Sequence, residues 1–232
     1  MKKLQYLDIG AADFKISDRW VHLKQELEPI LFEPDLRSYE LLKNSGYKVY
    51  NFALGSDNIK QVLNLTRKVQ CSSFYIPNRL FLDRFPDKER WDIIDKITVD
   101  VKLLDDFNLD IDFIKLDTQG AELDILKGGV KTLKNVLGIE IEVSFSEIYE
   151  KQPLFGEVCN WLKKEGFEFY DFITEYRYSR IKLNRKGQLA FADALFLKDI
   201  DEVNMLSNEK KDSYITIAKA YDKVDLIKYI KI

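Results

Sequence analysis

The chain has one histidine, His22, and only two cysteines, Cys71 and Cys159, far apart in sequence. That excludes the close His/Cys spacing of a zinc site and any disulfide framework, so a reduced, cytosolic setting is expected. No apolar run approaches the roughly 18 residues needed to span a bilayer. The first ten residues, MKKLQYLDIG, lack both a long apolar stretch and a small-residue cleavage site, so no signal peptide is read there. Charge of one sign is not in excess either. Lys and Arg number 36 against 39 Asp and Glu, a net charge of −3 with no footprint for nucleic acid or an anionic membrane. Glycine is sparse where a dinucleotide fold needs it: the first predicted turn holds Gly10 alone instead of G-x-G-x-x-G.

What is present suits one large soluble domain: 232 residues, 46% hydrophobic and 32% charged. The stretch from Ile111 to Lys127, IDFIKLDTQGAELDILK, organises the rest. Phe113, Ile114 and Leu116 form an apolar run ending in Asp117; beyond Gly120, the residues Ala121, Leu123, Leu126 and Val130 take helical spacing. A buried strand thus feeds a helix across a tight turn. In open α/β sheets ligands bind at the carboxyl ends of the strands, which puts Asp117 and Thr118 at the rim of a site. The alternative is that both only cap the helix.

The same unit recurs earlier. Leu4 to Ile9 reads as a strand ending in Asp8-Ile-Gly-Ala-Ala-Asp13, followed by a helix over Arg19 to Glu28 that Pro29 closes. Ile30 to Phe32 is a second strand, ending in Glu33-Pro34-Asp35, with Asp35 capping a helix over Leu36 to Lys43. An acid at the tip of the second strand is placed to accept hydrogen bonds from a ribose. Lys48 to Leu54 is a third strand. An excursion over residues 56–100 follows, with strands at Gln61 to Thr66 and Ile97 to Val101, a short helix over Leu80 to Phe85, and a polar-aromatic loop at Cys71 to Asn78. Excursions of this length are usually functional or mobile.

Gly138 to Phe145 alternates, with Ile139, Ile141 and Val143 on one face and Glu140 and Glu142 on the other. Either these acids point into a polar site or they line a wet edge. Phe155 to Glu165 is an amphipathic helix. The strands Phe167 to Ile173 and Gln188 to Leu197, joined by a segment with Tyr176, Arg177, Arg180 and Arg185, read as an antiparallel pair. The fold class is therefore α/β: a mostly parallel sheet with a C-terminal antiparallel hairpin, in one domain over 1–200. A Lys-rich helical tail over 201–232 packs on the sheet or on a second copy, which makes a homodimer plausible. The acids Asp105, Asp106, Asp110 and Asp112 straddle a loop and read as solvated, not as metal ligands.

Two cofactors fit such a site, a nicotinamide dinucleotide and S-adenosylmethionine. Asp13 would put negative charge near a pyrophosphate, so electrostatics favours the cofactor without phosphates. The chain resembles the FkbM family of S-adenosylmethionine-dependent methyltransferases over about Tyr6 to Lys198. The resemblance rests on Asp8-Ile-Gly-Ala, Phe32-Glu-Pro-Asp35, Val101 to Asp105, and above all Ile114-Lys-Leu-Asp-Thr-Gln-Gly-Ala-Glu122 followed by Leu126-Lys-Gly. Ser72-Ser73 with Pro77-Asn78, and Ala192-Asp193-Ala194 with Phe196, resemble a subset of that family.

The resemblance implies a class I methyltransferase (Rossmann-like) fold with a seven-stranded sheet, and O-methylation, often of a sugar or secondary-metabolite hydroxyl. It implies that Asp8, Gly10 and Ala11 border the methionine part of the cofactor, that Glu33, with Pro34 beside it, holds the ribose, and that Asp117 faces cofactor and acceptor. The chain departs from the family in Ala12, Asp13 and Phe14, where an Asn and a second Gly are usual. Methyl transfer to a hydroxyl needs alignment and a proton acceptor within reach. Asp117 is the first candidate, Glu142 the second, and His22 the third, with a structural role as its alternative. Ser72, Ser73 and Asn78 are candidates for the acceptor or the cofactor carboxylate, or form a hydrogen-bonded loop. Tyr176 and Arg177 stack on or pair with an acceptor, or form a solvated hairpin. The competing functions are a nicotinamide-dependent oxidoreductase and a scaffold that kept the fold but lost the cofactor.

Overall fold

In the computed structural model residues 2–181 and 187–231 are described; Arg185 of the basic segment lies outside them. The strands are β1 (Leu4–Ile9), β2 (Leu27–Phe32), β3 (Lys48–Tyr50), β4 (Ala53–Leu54), β5 (Ile59–Thr66), β6 (Ile93–Lys102), β7 (Phe113–Leu116), β8 (Gly138–Ser144), β9 (Phe167–Tyr178) and β10 (Gln188–Lys198). Seven of them form one sheet in the order β3-β2-β1-β7-β8-β10-β9. The pairs β2–β3, β1–β2, β1–β7 and β7–β8 are parallel, whereas β10 runs antiparallel to both β8 and β9. The strand order and the antiparallel C-terminal hairpin are those that the sequence resemblance implies.

Period-two alternation divides the sheet's side chains between two cores. On one face Leu7, Ile9, Ile30, Phe32, Ile114, Leu116, Ile139 and Ile141 pack under the helices Glu122–Lys127 and Phe155–Lys164. On the other, Leu4, Tyr6, Phe113, Leu195 and Leu197 meet Trp20 and the last helices, through Val203, Tyr214, Ile217 and Tyr221. The tail thus covers this chain's own sheet. The Tyr221 hydroxyl donates to the buried Glu140 carboxylate, and the Arg19 guanidinium lies 5.2 Å above the Tyr221 ring. Because β8 lies between β7 and β10, Glu140 and Glu142 are not on a wet edge.

Several local expectations change. The helix over Arg19 to Glu28 is only Asp18–Val21 plus a 3-10 turn at Lys24–Glu26, because Leu27 is drawn into β2 opposite Leu4. Pro29 lies inside β2 instead of stopping a helix. β3 begins only opposite Ile30, so one flank of β2 is open at Pro29, where a residue without an N–H is tolerated. The stretch Lys48 to Leu54 splits: β3 joins the large sheet and β4 a small one, ordered β4-β6-β5. The organising helix breaks at Gly128 and Gly129 into Glu122–Lys127 and Val130–Leu133, and Val130 is 38% exposed. A Cβ on Gly128 would meet the Gly55 carbonyl at 2.0 Å, so close packing explains the break.

The acidic run has fixed partners. Asp105 accepts from the Lys131 and Thr132 N–H groups, Asp106 from Asn58, and Asp112 from the Gln5 N–H, while Lys210 pairs with Asp110 and Asp112. Among the described residues, no group of three or more His, Cys, Asp or Glu is arranged to hold a metal, and no helix is long and apolar enough to cross a membrane.

Candidate functional site

The carboxyl ends of β1, β2 and β7 open into a cavity of about 320 Å³. Such a volume lies at the lower end of the range for small-molecule sites. One wall comes from the excursion: Leu63, Val69, Gln70, Ser72 and Phe74 close the side that the large sheet leaves open. With Phe32, Phe52, Leu54 and Ile125 they make most of the lining apolar. The acids Asp8, Asp13, Glu33, Asp35 and Asp117 outnumber the lysines Lys15 and Lys115.

The first turn is shaped by main-chain bonding. Gly10 and Ala11 both donate to the Phe32 carbonyl, at 3.0 and 3.2 Å, and Asp117 N donates to the Ile9 carbonyl at 3.1 Å. Gly10 has φ +85°, a region open mainly to glycine. Phe14 lines the cavity without filling it: its ring is edge-to-face with Tyr47, centroids 5.2 Å apart, and packs with Ala11, Leu31 and Leu42. Asp13 is exposed and accepts from Gln70 across the cavity mouth.

Asp8 is 3% exposed, and its Oδ1 has no hydrogen-bond partner among the described residues. Burial pushes its carboxyl up to about 6, against the pull of Lys115, whose Nζ is 3.9 Å away. Glu33 is 4% exposed, and burial pushes it up to about 8. Its Oε1 accepts from Asp35 N at 2.8 Å. Pro34 lines the cavity next to it, held by Asn51, which donates to both the Glu33 and Pro34 carbonyls. Asp35 caps the helix Leu36–Leu42 by accepting from Arg37 N at 2.9 Å.

Beside the cavity, strand register aligns charges on the second face of the sheet. Asp8 pairs with Lys115, and Lys115 with Glu140. One step past the Leu116–Ile141 pair, Asp117 is level with Glu142, which is opposite Asp193. Burial works against the charge on Lys115, but Asp8, Asp117, Glu140 and Asp193 raise its pKa overall. Burial, then Asp117, Glu122 and Asp193, raise Glu142 well above the usual carboxylate range. Burial, with Asp117 and Glu140, pushes Asp193 up to about 6.

Neither Asp117 nor Thr118 caps the following helix. The Glu122 carboxylate folds back and accepts from Thr118 N at 2.7 Å and Gly120 N at 3.0 Å, fixing the turn. Burial pushes Glu122 up to about 7. Asp117 is left to the Gln119 side chain, whose Nε2 donates to Asp117 Oδ1 at 2.8 Å and to Glu142 Oε1 at 3.1 Å. Gln119, Glu122 and Lys115 lie inside the motif that carries the family resemblance, yet the sequence offered no role for them. Their signal was polarity beside a strand end.

The structure therefore gathers Asp8, Gly10, Ala11, Glu33, Pro34, Asp117 and Ser72 at the cavity, with Glu142 one strand away. Other candidates are elsewhere. His22 is exposed at the end of the helix Asp18–Val21 and does not line the cavity. Asn78 caps the helix Arg79–Leu82 and donates to the Glu147 carbonyl. Ser73 is buried, donating to the Gln119 carbonyl at 2.6 Å. Tyr176 stacks on Phe191 at 4.3 Å and donates to Asp193, whereas Arg177 pairs with Glu175 at 2.9 Å.

The family model described as the methyltransferase FkbM domain matches residues 8–169. No curated protein matches the chain. Among solved structures, a candidate RNA methyltransferase of Pyrococcus horikoshii is 12% identical with TM-score 0.40, covering 85% of this chain and 76% of its own. A TehB-like SAM-dependent methyltransferase of Corynebacterium glutamicum is 14% identical with TM-score 0.40, covering 86% and 82%. M. capricolum TrmK, solved with S-adenosyl-homocysteine, is 9% identical with TM-score 0.35, covering 97% and 92%.

Proposed function

The chain belongs to the FkbM methyltransferase family, and from that premise we propose that it methylates a hydroxyl of an uncharged, sugar-like acceptor, with Asp117 taking the proton. Its cofactor is S-adenosylmethionine, which when bound supplies a methyl carbon activated by a sulfonium. The residues fit that group. Asp8 offers an ammonium donor a buried oxygen that has no hydrogen-bond partner among the described residues and only the Lys115 ammonium, 3.9 Å away, as an ion-pair partner. Gly10 and Ala11 line the cavity at the first turn, Glu33 offers a carboxylate to ribose hydroxyls, and the apolar wall suits a flat base. Glu33 aside, four acids line the cavity against two lysines, which disfavours a pyrophosphate and argues against a nicotinamide dinucleotide.

The observation that carries the acceptor reading is the level placement of Asp117, Glu142 and Asp193 at the strand ends beside the cavity. A hydroxyl held there is within reach of a carboxylate base, and alignment supplies much of the rate. The same carboxylates repel polyanions, so an uncharged polyol is favoured over a phosphate-rich acceptor. The domain over 1–200 would carry this chemistry, with the tail over 201–232 bracing the sheet.

The test is calorimetric titration with S-adenosylhomocysteine, with NAD as control, followed by a panel of sugar acceptors. Micromolar binding of the first without the second is expected. Asp117→Asn is expected to cut turnover at least a hundredfold while holding cofactor affinity within about threefold. Full turnover in that variant would remove Asp117 as the base.

A further inference from the structure

Gln119 has a set of side-chain partners that a turn residue does not need. Its φ is +59°, uncommon for a residue with a side chain. The Ser73 hydroxyl donates to its carbonyl at 2.6 Å, and the Tyr149 hydroxyl lies 2.8 Å from its Oε1. Tyr149 is 1% exposed, and its hydroxyl is also 2.9 Å from the Cys71 carbonyl. Both amide N–H groups are thereby turned toward carboxylates, one to Asp117 and one to Glu142.

We propose that Gln119 is a positioning residue: its one amide clamps the Asp117 and Glu142 carboxyl groups in a single bridge and keeps Asp117 oriented toward the acceptor. The inference rests on the reading of Asp117 as proton acceptor. Two carboxylates this close cannot both ionise freely, and interacting acids lose their protons in separate steps. An amide between them supplies an N–H donor to each, which favours the ionised form of both, and adds no charge to offset their mutual repulsion. Ammonium or guanidinium in that place would hold both acids charged. A carboxyl would add a third competitor for protons.

The surroundings agree from every side. Lys115 on β7 works against the raising of Glu142 by burial, Asp117, Glu122 and Asp193. Asp8 on β1 and Tyr176 on β9 feel Asp117 as well. Tyr149 after β8, Tyr178 on β9 and Cys71 in the excursion feel Glu142 as well, and Arg90 lowers both Tyr178 and Cys71.

The test needs no acceptor. Carboxyl ¹³C resonances of Asp117 and Glu142 are titrated by NMR in the full chain, in Gln119→Met, which keeps length but has no donor, and in Tyr149→Phe, which frees Oε1. In the native chain the pair is expected to titrate in two separated steps. Gln119→Met is expected to move the lower step up by about one pH unit, and Tyr149→Phe to move it the same way by less. A brace for the loop alone would lower the melting temperature and leave both steps in place, and that result overturns the proposal. If Gln119→Met does not fold, an unmoved lower step in Tyr149→Phe overturns it equally. The base assignment fails separately, if Asp117→Asn keeps full turnover while the titration shifts stand.

Discussion

Gly10 is packed directly on the main chain of Asp117: a Cβ built on Gly10 would lie 1.9 Å from the Asp117 carbonyl oxygen. The proposed cofactor turn and the proposed base turn are therefore one assembly, held also by the Asp117 N–H bond to Ile9. Gly46 has nearly the same dihedral, φ +84° against +85°, but nothing within 4 Å of its virtual Cβ. The pair separates backbone strain from steric exclusion. Gly46→Ala is expected to cost about 1 kcal/mol and leave S-adenosylhomocysteine affinity unchanged. Gly10→Ala, which meets the same strain and a main-chain clash, is expected to cost about 3 kcal/mol or more in urea unfolding and to weaken binding at least tenfold. Equal costs at the two sites would show that Asp117 yields easily.

Glu33 gives a signature in binding. Burial pushes its carboxyl up to about 8, so it is largely protonated at neutral pH. Hydroxyl donors on its oxygens favour the ionised form. Cofactor binding at pH 7.5 is then expected to release a fraction of a proton, read by calorimetry in two buffers of different ionisation enthalpy. Glu33→Gln should abolish the buffer dependence and weaken binding about tenfold. Buffer-independent heats in the native chain would remove Glu33 from the ribose site.

The raised acids also set how stability varies with pH. Asp8 is pushed up to about 6, Asp193 to about 6, Glu122 to about 7 and Glu33 to about 8, in each case with burial as the largest cause. Between an unfolded value near 4 and these folded values, the folded chain binds more protons than the unfolded one, so its stability falls as pH rises. Asp105 and Asp110 are lowered and work the other way, losing their contribution only on strong acidification. The unfolding free energy without cofactor is expected to drop by about 7 kcal/mol from pH 5.5 to 8.5 through these four groups. Glu33→Gln should flatten that slope even as it weakens binding. A flat native profile would mean that water solvates these carboxyls in solution.

What the sequence disclosed was local in the chain. Asp8, Glu33 and Asp117 each end an apolar run, and a strand end followed by small residues or a cap is legible without any knowledge of partners. The two late strands lacked a crossover helix, and the antiparallel β9–β10 pair followed. What stayed hidden depended on contacts between distant segments. The Gln119 bridge joins residues 23 and 30 positions away. Nothing local separates Asn78 as a helix cap from Asn78 as a ligand. The helix expected through Leu27 failed because strand pairing with Leu4 outweighed a helical spacing that was locally sound.

Tyr221 and Glu140 offer the last prediction, since they join the tail to the central strand. Glu140 is 8% exposed, its carboxylate accepts from the Tyr221 hydroxyl, and Arg19 lies 3.9 Å away. Tyr221→Phe keeps the ring contacts with Trp20 and Phe113 but removes the donor. A buried acceptor that loses its partner costs more than the bond itself contributed, so a loss of about 1–3 kcal/mol is expected. Glu140→Gln with Tyr221→Phe should cost less than the sum of the single changes, because the two act on one contact. Additive losses would mean that the hydroxyl and carboxylate do not meet in solution. If instead the coupling is found and S-adenosylhomocysteine affinity is unchanged, the tail acts on the sheet rather than on the site. Weakened binding would make the row from Glu140 through Lys115 to Asp8 the route by which the tail reaches the cofactor turn.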